Sequence, residues 1–281
     1  PFSSNAQIAT TLNDQVAVRQ WNLDGLPADN LSIENGLIMT NARRWPLMID
    51  PQGQANKWIR KKENKNLDVV KLTEDTFLRT LENAIRFGRT VLIESVGEEL
   101  DPALEPILLR QTFFNRGQEM MKLGDSILPY NNTFKLYMTS KLPNPKYAPE
   151  SSVKVTLLNF TVTPTGLEDQ LLANVVIAER PDLEESKNEL MTSNAKMKAK
   201  LKELEDLILK QLSETLNPLD DEDLITTLNE SKRMSTEIAE KVVEAEETEK
   251  QIDETRNTYK PMAVRGSLLF FCVADLATID P

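Results

Sequence analysis

The spacing of apolar residues changes once along the chain, near Leu183. Before that point, short apolar runs alternate with amphipathic stretches and with loops that contain proline or glycine, a pattern typical of interleaved strands and helices. After it, apolar residues recur at alternating spacings of four and three among charged residues, which is the seam pattern of paired helices. The pattern therefore predicts an α/β part followed by a helical part.

Five short apolar runs in the first part predict buried strands. They are Trp45–Ile49, Leu67–Leu72, Arg89–Glu94, Phe134–Thr139 and Lys154–Phe160. Between two of them, Thr73–Phe87 has the periodicity of an amphipathic helix, and Gly88 beyond it is a stop signal. Strands interleaved with helices indicate a parallel sheet with crossover helices.

Three other segments of the first part carry weaker signals. Leu26 to Gly36 is predicted as a loop that leads into Leu37–Thr40, and Asn5–Thr11 as a short polar helix. Asp101 is predicted to cap a helix that runs to Arg110, with proline at its first position, where a missing N–H is harmless.

The second part predicts an antiparallel coiled-coil hairpin, because two seams are joined by one acidic turn. The predicted seam residues are Leu190, Met197, Leu201, Leu204 and Ile208 on the outgoing arm and Ile238, Val242, Ala245 and Ile252 on the returning arm, and the predicted tip includes Pro218, Asp220 and Asp221. Arms of roughly 35 residues would project about 50 Å. The polar residues Asn194, Glu249 and Arg256 interrupt the seams. The alternative to a projecting hairpin is an ordinary pair of long helices lying on the domain.

Composition excludes several kinds of chemistry from these 281 residues. The net charge of −11 argues against broad contact with nucleic-acid phosphates. Histidine is absent, which removes triads with an imidazole base and histidine-bearing zinc sites. Cys272 is the only cysteine, so no disulfide can form within the chain, and its apolar surroundings predict a buried thiol. No apolar run reaches the roughly 20 residues of a membrane span, and Ser267–Ile279 is predicted as a core helix.

One loop has the outline of a phosphate-binding loop without its chemistry. When Pro51 to Trp58 is set against G-x-x-x-x-G-K-[ST], only Lys57 is kept. Pro51 and Asn56 replace the two glycines, and Trp58 replaces the hydroxyl that would bind magnesium, while Gly53 lies inside the loop. Proline has no N–H to offer a phosphate and tryptophan has no oxygen for a metal. A chance resemblance is the alternative.

The strand that should follow such a loop is equally incomplete. Val91 to Ser95 occupies the place of a Walker B strand, which should end in Asp-Glu but here ends in Glu94 and Ser95. Glu94 could hold magnesium through water, but Ser95 cannot activate the attacking water as a glutamate would. The two defects together argue against ATP hydrolysis.

The remaining residues singled out by the sequence have structural interpretations. Trp21 and Trp45 are predicted core residues. The basic cluster at Arg60, Lys61 and Lys62 is predicted to be a solvated helix end, where positive charge interacts favourably with the helix dipole.

Several long stretches, taken together, resemble the fifth AAA+ module of dynein heavy chains, and most closely those of axonemal type. They include NARRWPLMIDPQGQANKWI from Asn41, FLRTLENAIRFGRTVLIESVGEELDPALEPILLRQ from Phe77, KLPNPKYAPE from Lys141 and NFTVTPTGLEDQLLANVVIAERPDLEE from Asn159. The likeness extends over nearly the whole chain, and motifs of this length and order are specific.

The resemblance implies a part of a microtubule motor of the cytoskeleton and the ciliary axoneme. In that family six AAA+ modules form a ring, the early ones bind ATP and Mg²⁺, and the fifth binds no cofactor. Its hairpin, the strut or buttress, touches the microtubule-binding stalk of its neighbour and couples the ring to it. The partners implied are neighbouring modules of the same heavy chain, the stalk and, indirectly, microtubules, with no membrane or nucleic acid.

On this basis the chain divides into a large α/β subdomain (1–165), a small helical subdomain (166–182 and 258–281) and the hairpin (183–257). One departure from the family concerns the arginine that should reach the preceding module: the region holds Lys141 and Lys146 but no arginine. Two other functions stay open. In the first the module itself uses ATP through Lys57 and Glu94, and in the second the hairpin docks a separate protein through Asp220 to Asp223.

Overall fold

The computed structural model describes residues 15–214 and 222–279, which fall into two compact units. The first unit comprises residues 24–163. The second comprises residues 15–23 together with 164–214 and 222–279. The finer division into large subdomain, small subdomain and hairpin stays a prediction, and so does the helix predicted at Asn5–Thr11, which lies outside the described residues.

The strands all belong to the first unit. In chain order they are β1 (Pro46–Ile49), β2 (Leu67–Lys71), β3 (Thr90–Glu94), β4 (Thr112–Asn115), β5 (Gln118–Leu123), β6 (Ser126–Pro129), β7 (Lys135–Ser140) and β8 (Thr156–Asn159). Five of them form one sheet in the order β2-β3-β7-β1-β8, and every neighbouring pair is parallel. The predicted α/β class is therefore confirmed.

Helices occur in both units. They are α1 (Gln15–Leu23), α2 (Asn30–Asn41), α3 (Gln54–Lys62), α4 (Phe77–Phe87), α5 (Glu105–Leu108), α6 (Pro149–Lys154), α7 (Pro164–Glu179), α8 (Pro181–Glu214), α9 (Glu222–Asn257) and α10 (Lys260–Ile279), with a 3-10 turn at Pro102–Leu104. Strands covered on both faces read as nearly continuous apolar runs, which explains why the three inner strands β1, β3 and β7 could be recognised from sequence.

The core of the first unit forms between the sheet and the helices that follow its strands. Leu47, Ile93 and Leu136 are fully buried on neighbouring strands, and Leu81 and Ile85 of α4 pack in the same cluster. Gly88 ends α4 in the left-handed conformation, with φ of 67°, as the stop signal predicted. The helix itself begins at Phe77 rather than Thr73.

The prediction of a loop over Leu26 to Gly36 is wrong in most of its length. These residues form the end of a short loop and the helix α2. Asp29 caps that helix by accepting a hydrogen bond from the backbone N–H of Ser32 at 3.2 Å. Because Gly36 lies inside a well-capped helix, its weak helix propensity is overridden by the cap and by packing.

The sequence interpretation also missed a three-stranded antiparallel sheet, in the order β4-β5-β6. Two-residue turns join its strands, with Arg116 and Gly117 at φ of 50° and 82° in the first and Gly124 at 57° in the second. Arg-Gly and Gly-Asp between short alternating runs are hairpin signals. The helix predicted from Asp101 to Arg110 is shorter than expected: it is a 3-10 turn followed by α5, although Asp101 does cap it, through the N–H of Ala103.

The second unit is helical and has a small core between α7 and α10. Leu172, Val176 and Ala263 are its buried members. The prediction that Ser267–Ile279 is a core helix is correct as to helix but wrong as to burial, because most of the large apolar side chains of α10 are exposed. They include Met262, Leu268, Leu269, Phe270, Val273 and Leu276. Cys272 is also exposed, so the prediction of a buried thiol is wrong.

Two further expectations can be compared with the described residues. Trp21 and Trp45 are buried, as predicted for core residues. Among the helices of residues 15–214 and 222–279, none has the length and apolar character needed to cross a membrane.

Candidate nucleotide site and paired helices

The loop between β1 and α3 lies at the carboxyl ends of the parallel strands, the edge at which open α/β sheets bind ligands. It contains only Asp50 to Gly53, because α3 begins at Gln54. Asn56 and Lys57 therefore lie inside the helix, and the Lys57 side chain is exposed. In a phosphate-binding loop the backbone N–H groups before the lysine point at the phosphate.

Here the N–H groups at the start of α3 already bind a carboxylate. Asp50 accepts from the N–H of Gln54 at 2.7 Å with one oxygen and from that of Asn56 at 2.9 Å with the other. The residue is 2% exposed. Burial raises the pKa of Asp50, although the hydrogen bonds from backbone N–H groups oppose this rise. A side chain of the protein thus occupies the position that favours an anion.

The ends of the two incomplete motifs are joined by a small polar network. The amide of Asn56 donates to Glu94 at 2.7 Å, and the guanidinium of Arg60 donates to the same Glu94 oxygen. Arg60 also donates to the side-chain oxygen of Asn56 at 2.8 Å. Burial raises the pKa of Glu94, but the hydrogen bonds from Asn56 and Arg60 and the charge of Arg60 outweigh it, so that the pKa is lowered overall.

This network corrects the interpretation of the basic cluster. Arg60 is not merely a solvated helix end, because it forms an ion pair with Glu94. Lys62 is half-buried, with its ammonium group 5.0 Å from the ring centroid of Trp58. Sequence reasoning missed both Asp50 and Arg60. The signal for Asp50 was a carboxylate directly after a buried strand and four residues before a helix whose N-cap, Gly53, has no side chain to accept from the first N–H groups.

The other residues of the candidate site do not face one open pocket. Trp58 is fully buried, with its ring 6.2 Å from that of Phe160. Ser95 is exposed and has φ of 58°, a left-handed conformation that serine rarely adopts. Lys141 and Lys146 are exposed in the loop after β7. Within the described ranges, no group of three or more cysteine, aspartate or glutamate side chains is placed to hold a metal ion.

We expect the Glu94→Gln variant to reveal the network through its pH dependence. The folded-state pKa of Glu94 lies below the unfolded value of 4.5, so its stabilisation is fully present above about pH 4.5 and is lost as the pH falls through the folded value. Above that pH, the loss of a charge-assisted hydrogen bond should lower the free energy of unfolding by about 1–3 kcal/mol.

Urea unfolding at a series of pH values measures this effect. Glu99→Gln is the matched control, because Glu99 is exposed and surface changes usually alter stability by less than about 0.5 kcal/mol. A deficit in Glu94→Gln that persists unchanged below the folded pKa would contradict the ionic network.

The second predicted functional element is the pair α8 and α9, which run antiparallel. Among the described side chains, three ion pairs join them: Arg256 to Glu184 at 3.0 Å, Lys187 to Asp253 at 2.6 Å and Lys198 to Glu246 at 2.5 Å. Low residue numbers on α8 pair with high numbers on α9, as an antiparallel arrangement requires. The hydrogen bond from Lys198 lowers the pKa of Glu246 more than burial raises it.

Most of the predicted seam residues lie at buried or half-buried positions of this pair. Val242 and Ala245 are buried, and Leu190, Met197, Leu201, Leu204, Ile238 and Ile252 are half-buried. Asn194 is fully buried, and its side-chain oxygen and nitrogen have no hydrogen-bond partner among the described residues. The side chain of Ile208 and the predicted tip residues Pro218, Asp220 and Asp221 lie outside the described part. A supercoiled hairpin stays a prediction.

Comparison with known proteins gives the family. A family described as "ATP-binding dynein motor region" matches residues 19–238. The chain is 56% identical to dynein axonemal heavy chain 1 of Mus musculus and 52% identical to dynein axonemal heavy chain 3 of the same species. It is 48% identical to the dynein-1-beta heavy chain of the flagellar inner arm I1 complex of Chlamydomonas reinhardtii.

Each of these alignments covers 100% of this chain but only 6% or 7% of the relative. The resemblance to dynein heavy chains is confirmed, and the parallel five-stranded sheet is consistent with the AAA+ fold expected from it. The family match extends over most of the chain. The chain therefore belongs to the dynein motor region family, and the relatives named here include axonemal heavy chains.

Proposed function

We propose that this chain is the fifth AAA+ module of an axonemal dynein heavy chain and that it binds no nucleotide. In this proposal the module is a mechanical part of an ATP-driven microtubule motor of the cilium or flagellum. ATP and Mg²⁺ are held by other modules of the same heavy chain. Neighbouring modules are its direct partners, and microtubules are reached only through the stalk.

The observation that carries the absence of nucleotide binding is the Asp50 carboxylate on the first N–H groups of α3. A triphosphate placed there would have to displace a buried anion or lie against it, and like charges at close range are strongly disfavoured. Sequence and geometry point in the same direction, because Lys57 is exposed and no hydroxyl follows it. The family description mentions ATP binding, which in our proposal applies to other dynein motor regions.

Arg60 supports the same proposal because its position argues against a bound magnesium ion. Glu94 is the acidic side chain closest to the role of a magnesium ligand, and it is already hydrogen-bonded by Asn56 and paired with Arg60. Before a divalent cation could bind, the guanidinium charge would have to move away, because two cations would otherwise share one carboxylate. In this proposal Asp50 therefore opposes the binding of a phosphate, and Arg60 opposes the binding of a divalent cation.

The second part of the proposal is that α8 and α9 form the coiled-coil strut that contacts a neighbouring stalk. The ion pairs between the helices and the buried positions of Val242 and Ala245 support a stiff two-helix element. Its movement would bias the stalk and so couple the ATPase state of the ring to microtubule affinity, which is an allosteric role because both sites act on one two-state element.

Isothermal titration calorimetry with Mg-ATP tests the absence of nucleotide binding. The 281-residue chain is expected to give no saturable heat at nucleotide concentrations up to about 1 mM, which corresponds to a binding free energy weaker than about 4 kcal/mol. Binding tighter than about 100 µM would instead favour the hypothesis that the module uses ATP through Lys57 and Glu94.

A further inference from the structure

A cavity of about 280 Å³ lies in the first unit at the amino-terminal ends of β1 and β7. It is at the opposite end of the strands from Asp50 and Glu94. Its floor is apolar and aromatic, with Trp45, Phe134 and Leu136 among its lining residues. Nothing in the resemblance or in the relatives assigns a role to this cavity.

The polar lining of the cavity is strongly basic. Arg44, Lys62, Arg110 and Lys135 all line it, and within the part of the chain that the structure describes no carboxylate does. Lys135 pairs with Glu63 at 3.3 Å, and this glutamate also accepts a hydrogen bond from the hydroxyl of Tyr137 at 3.2 Å. Glu63, together with Asp24 near Lys62, therefore offsets part of the local positive charge, in a chain whose net charge is −11.

The wall that carries Arg110 is held in place before any ligand binds. The indole N–H of Trp45 donates to the carbonyl oxygen of Ile107 at 2.8 Å, and the ring packs edge-on against Phe134 with centroids 5.7 Å apart. The guanidinium of Arg110 lies 4.3 Å from the centroid of the Trp45 ring. Stacking uses the face of a guanidinium and leaves its N–H edge directed sideways, the edge that binds planar oxyanions.

The backbone of Arg110 is fixed by the end of a helix. Its φ is 48°, in the left-handed region, where a non-glycine residue is uncommon except at helix ends. The N–H of Gln111 donates to the carbonyl oxygen of Pro106 at 2.8 Å, so this conformation is the left-handed end of α5, and it leaves the guanidinium over Trp45. In addition, burial lowers the pKa of Lys62, an effect that a bound anion would oppose.

We propose that this cavity is an oxyanion-binding site, in which Arg44, Arg110 and Lys135 hold a phosphate or a carboxylate and Trp45 positions the Arg110 guanidinium. Its volume is just below the range of about 300–1,000 Å³ that holds drug-sized ligands. It therefore fits a small anion, or a single acidic side chain presented by another polypeptide segment, and not a whole nucleotide. The proposal is independent of whether the opposite edge of the sheet binds ATP.

Calorimetric titration of the 281-residue chain with two probes tests the proposal. The probes are inorganic phosphate and a blocked diglutamate peptide, which present the same oxyanion chemistry from a free ion and from a polypeptide. At least one of them should bind saturably with a Kd on the order of 1 mM or tighter. Saturation by phosphate alone identifies a free anion as the ligand, and saturation by the peptide identifies a side-chain carboxylate.

Charge-removing variants locate the binding. Arg44→Gln and Arg110→Gln should each weaken the bound probe by about tenfold or more, because each removes charge-assisted hydrogen bonds. Arg43→Gln is the matched control: Arg43 is exposed, adjacent in sequence and not in the lining, so it should change affinity by less than about twofold. Thermal unfolding of each variant checks that the fold is retained, and Lys135→Gln replaces any variant that fails.

Two results would overturn the oxyanion site. One is the lack of saturable binding by either probe at concentrations up to about ten times the expected Kd. The other is equal weakening by Arg43→Gln and the lining variants, which would mean that only the general surface charge is involved.

Discussion

Val242→Asp is expected to destabilise the pair of α8 and α9 by at least about 3 kcal/mol. Val242 is 8% exposed on α9. A carboxylate buried there would have to take up a proton or stay charged without a partner, and both cost free energy. Most of the stability of a helix in a protein comes from packing of its apolar face, so a charge at a buried position of α9 should remove much of it. The loss should appear as reduced helical circular dichroism and a lower midpoint in urea.

The adjacent residue provides the control for this prediction. Val243 is 63% exposed, so Val243→Asp makes the same chemical change with the same loss of helix propensity but without burial of charge. Its effect should stay within about 0.5 kcal/mol. Equal destabilisation by the two variants would contradict the placement of Val242 at a buried position and Val243 at an exposed one.

The same two variants test the proposed role of the helices in the intact heavy chain. If α8 and α9 transmit movement to the stalk, Val242→Asp should leave ATP turnover active but no longer linked to microtubule release, and Val243→Asp should behave like the wild type. A docking role for a separate partner predicts instead that coupling survives Val242→Asp and that capture of the partner depends on Asp220 to Asp223.

Arg256→Ala is expected to lower the free energy of unfolding by about 3–5 kcal/mol. The Arg256 guanidinium contacts Glu184 at 3.0 Å and Asp253 at 3.1 Å, and the side chains of Arg256 and Glu184 are only 10% and 12% exposed. Removal of the arginine would leave a largely buried carboxylate without its cation, which costs far more than the intact pair contributes. Urea unfolding measures the loss.

Arg233 is the natural control for Arg256, because it pairs with Glu237 on the same helix but its side chain is 79% exposed. Arg233→Ala should cost about 0.3–0.5 kcal/mol, as exposed pairs one helical turn apart do. The double change Glu184→Leu with Arg256→Met should recover most of the stability, since no charge is then left buried. If the single and double variants were equally unstable, packing rather than charge would explain the loss.

The parts of the fold that could be predicted are those governed by local pattern. The three inner strands of the parallel sheet, β1, β3 and β7, are largely apolar runs that are buried on both faces, and α4 has a clear helical period with Gly88 at its end. The period of four and three predicted helices in the second part of the chain, and α8 and α9 are helices, while the seam between them stays a prediction. In each case the sequence signal and the burial have the same physical origin.

The parts that could not be predicted depend on residues brought together from distant segments. Arg60 looks like a solvated helix end in sequence, and only the end of β3 beside α3 makes it the partner of Glu94. The exposure of Cys272 and of the apolar side chains on α10 has a similar cause, because an apolar helix does not reveal which of its faces is covered. The missed strands β4 to β6 had a local signal in their glycine turns.

The most direct test of whether the Asp50 carboxylate occupies the phosphate position at the start of α3 is an amide NMR titration with Mg-ATP. The backbone N–H groups of Gln54 and Asn56, which donate to Asp50, are the reporters. If Asp50 closes the site, their ¹⁵N and ¹H shifts should not move at nucleotide concentrations up to about 1 mM. Saturable shifts of both amides, with the release of their hydrogen bonds to Asp50, would contradict a nucleotide-free module.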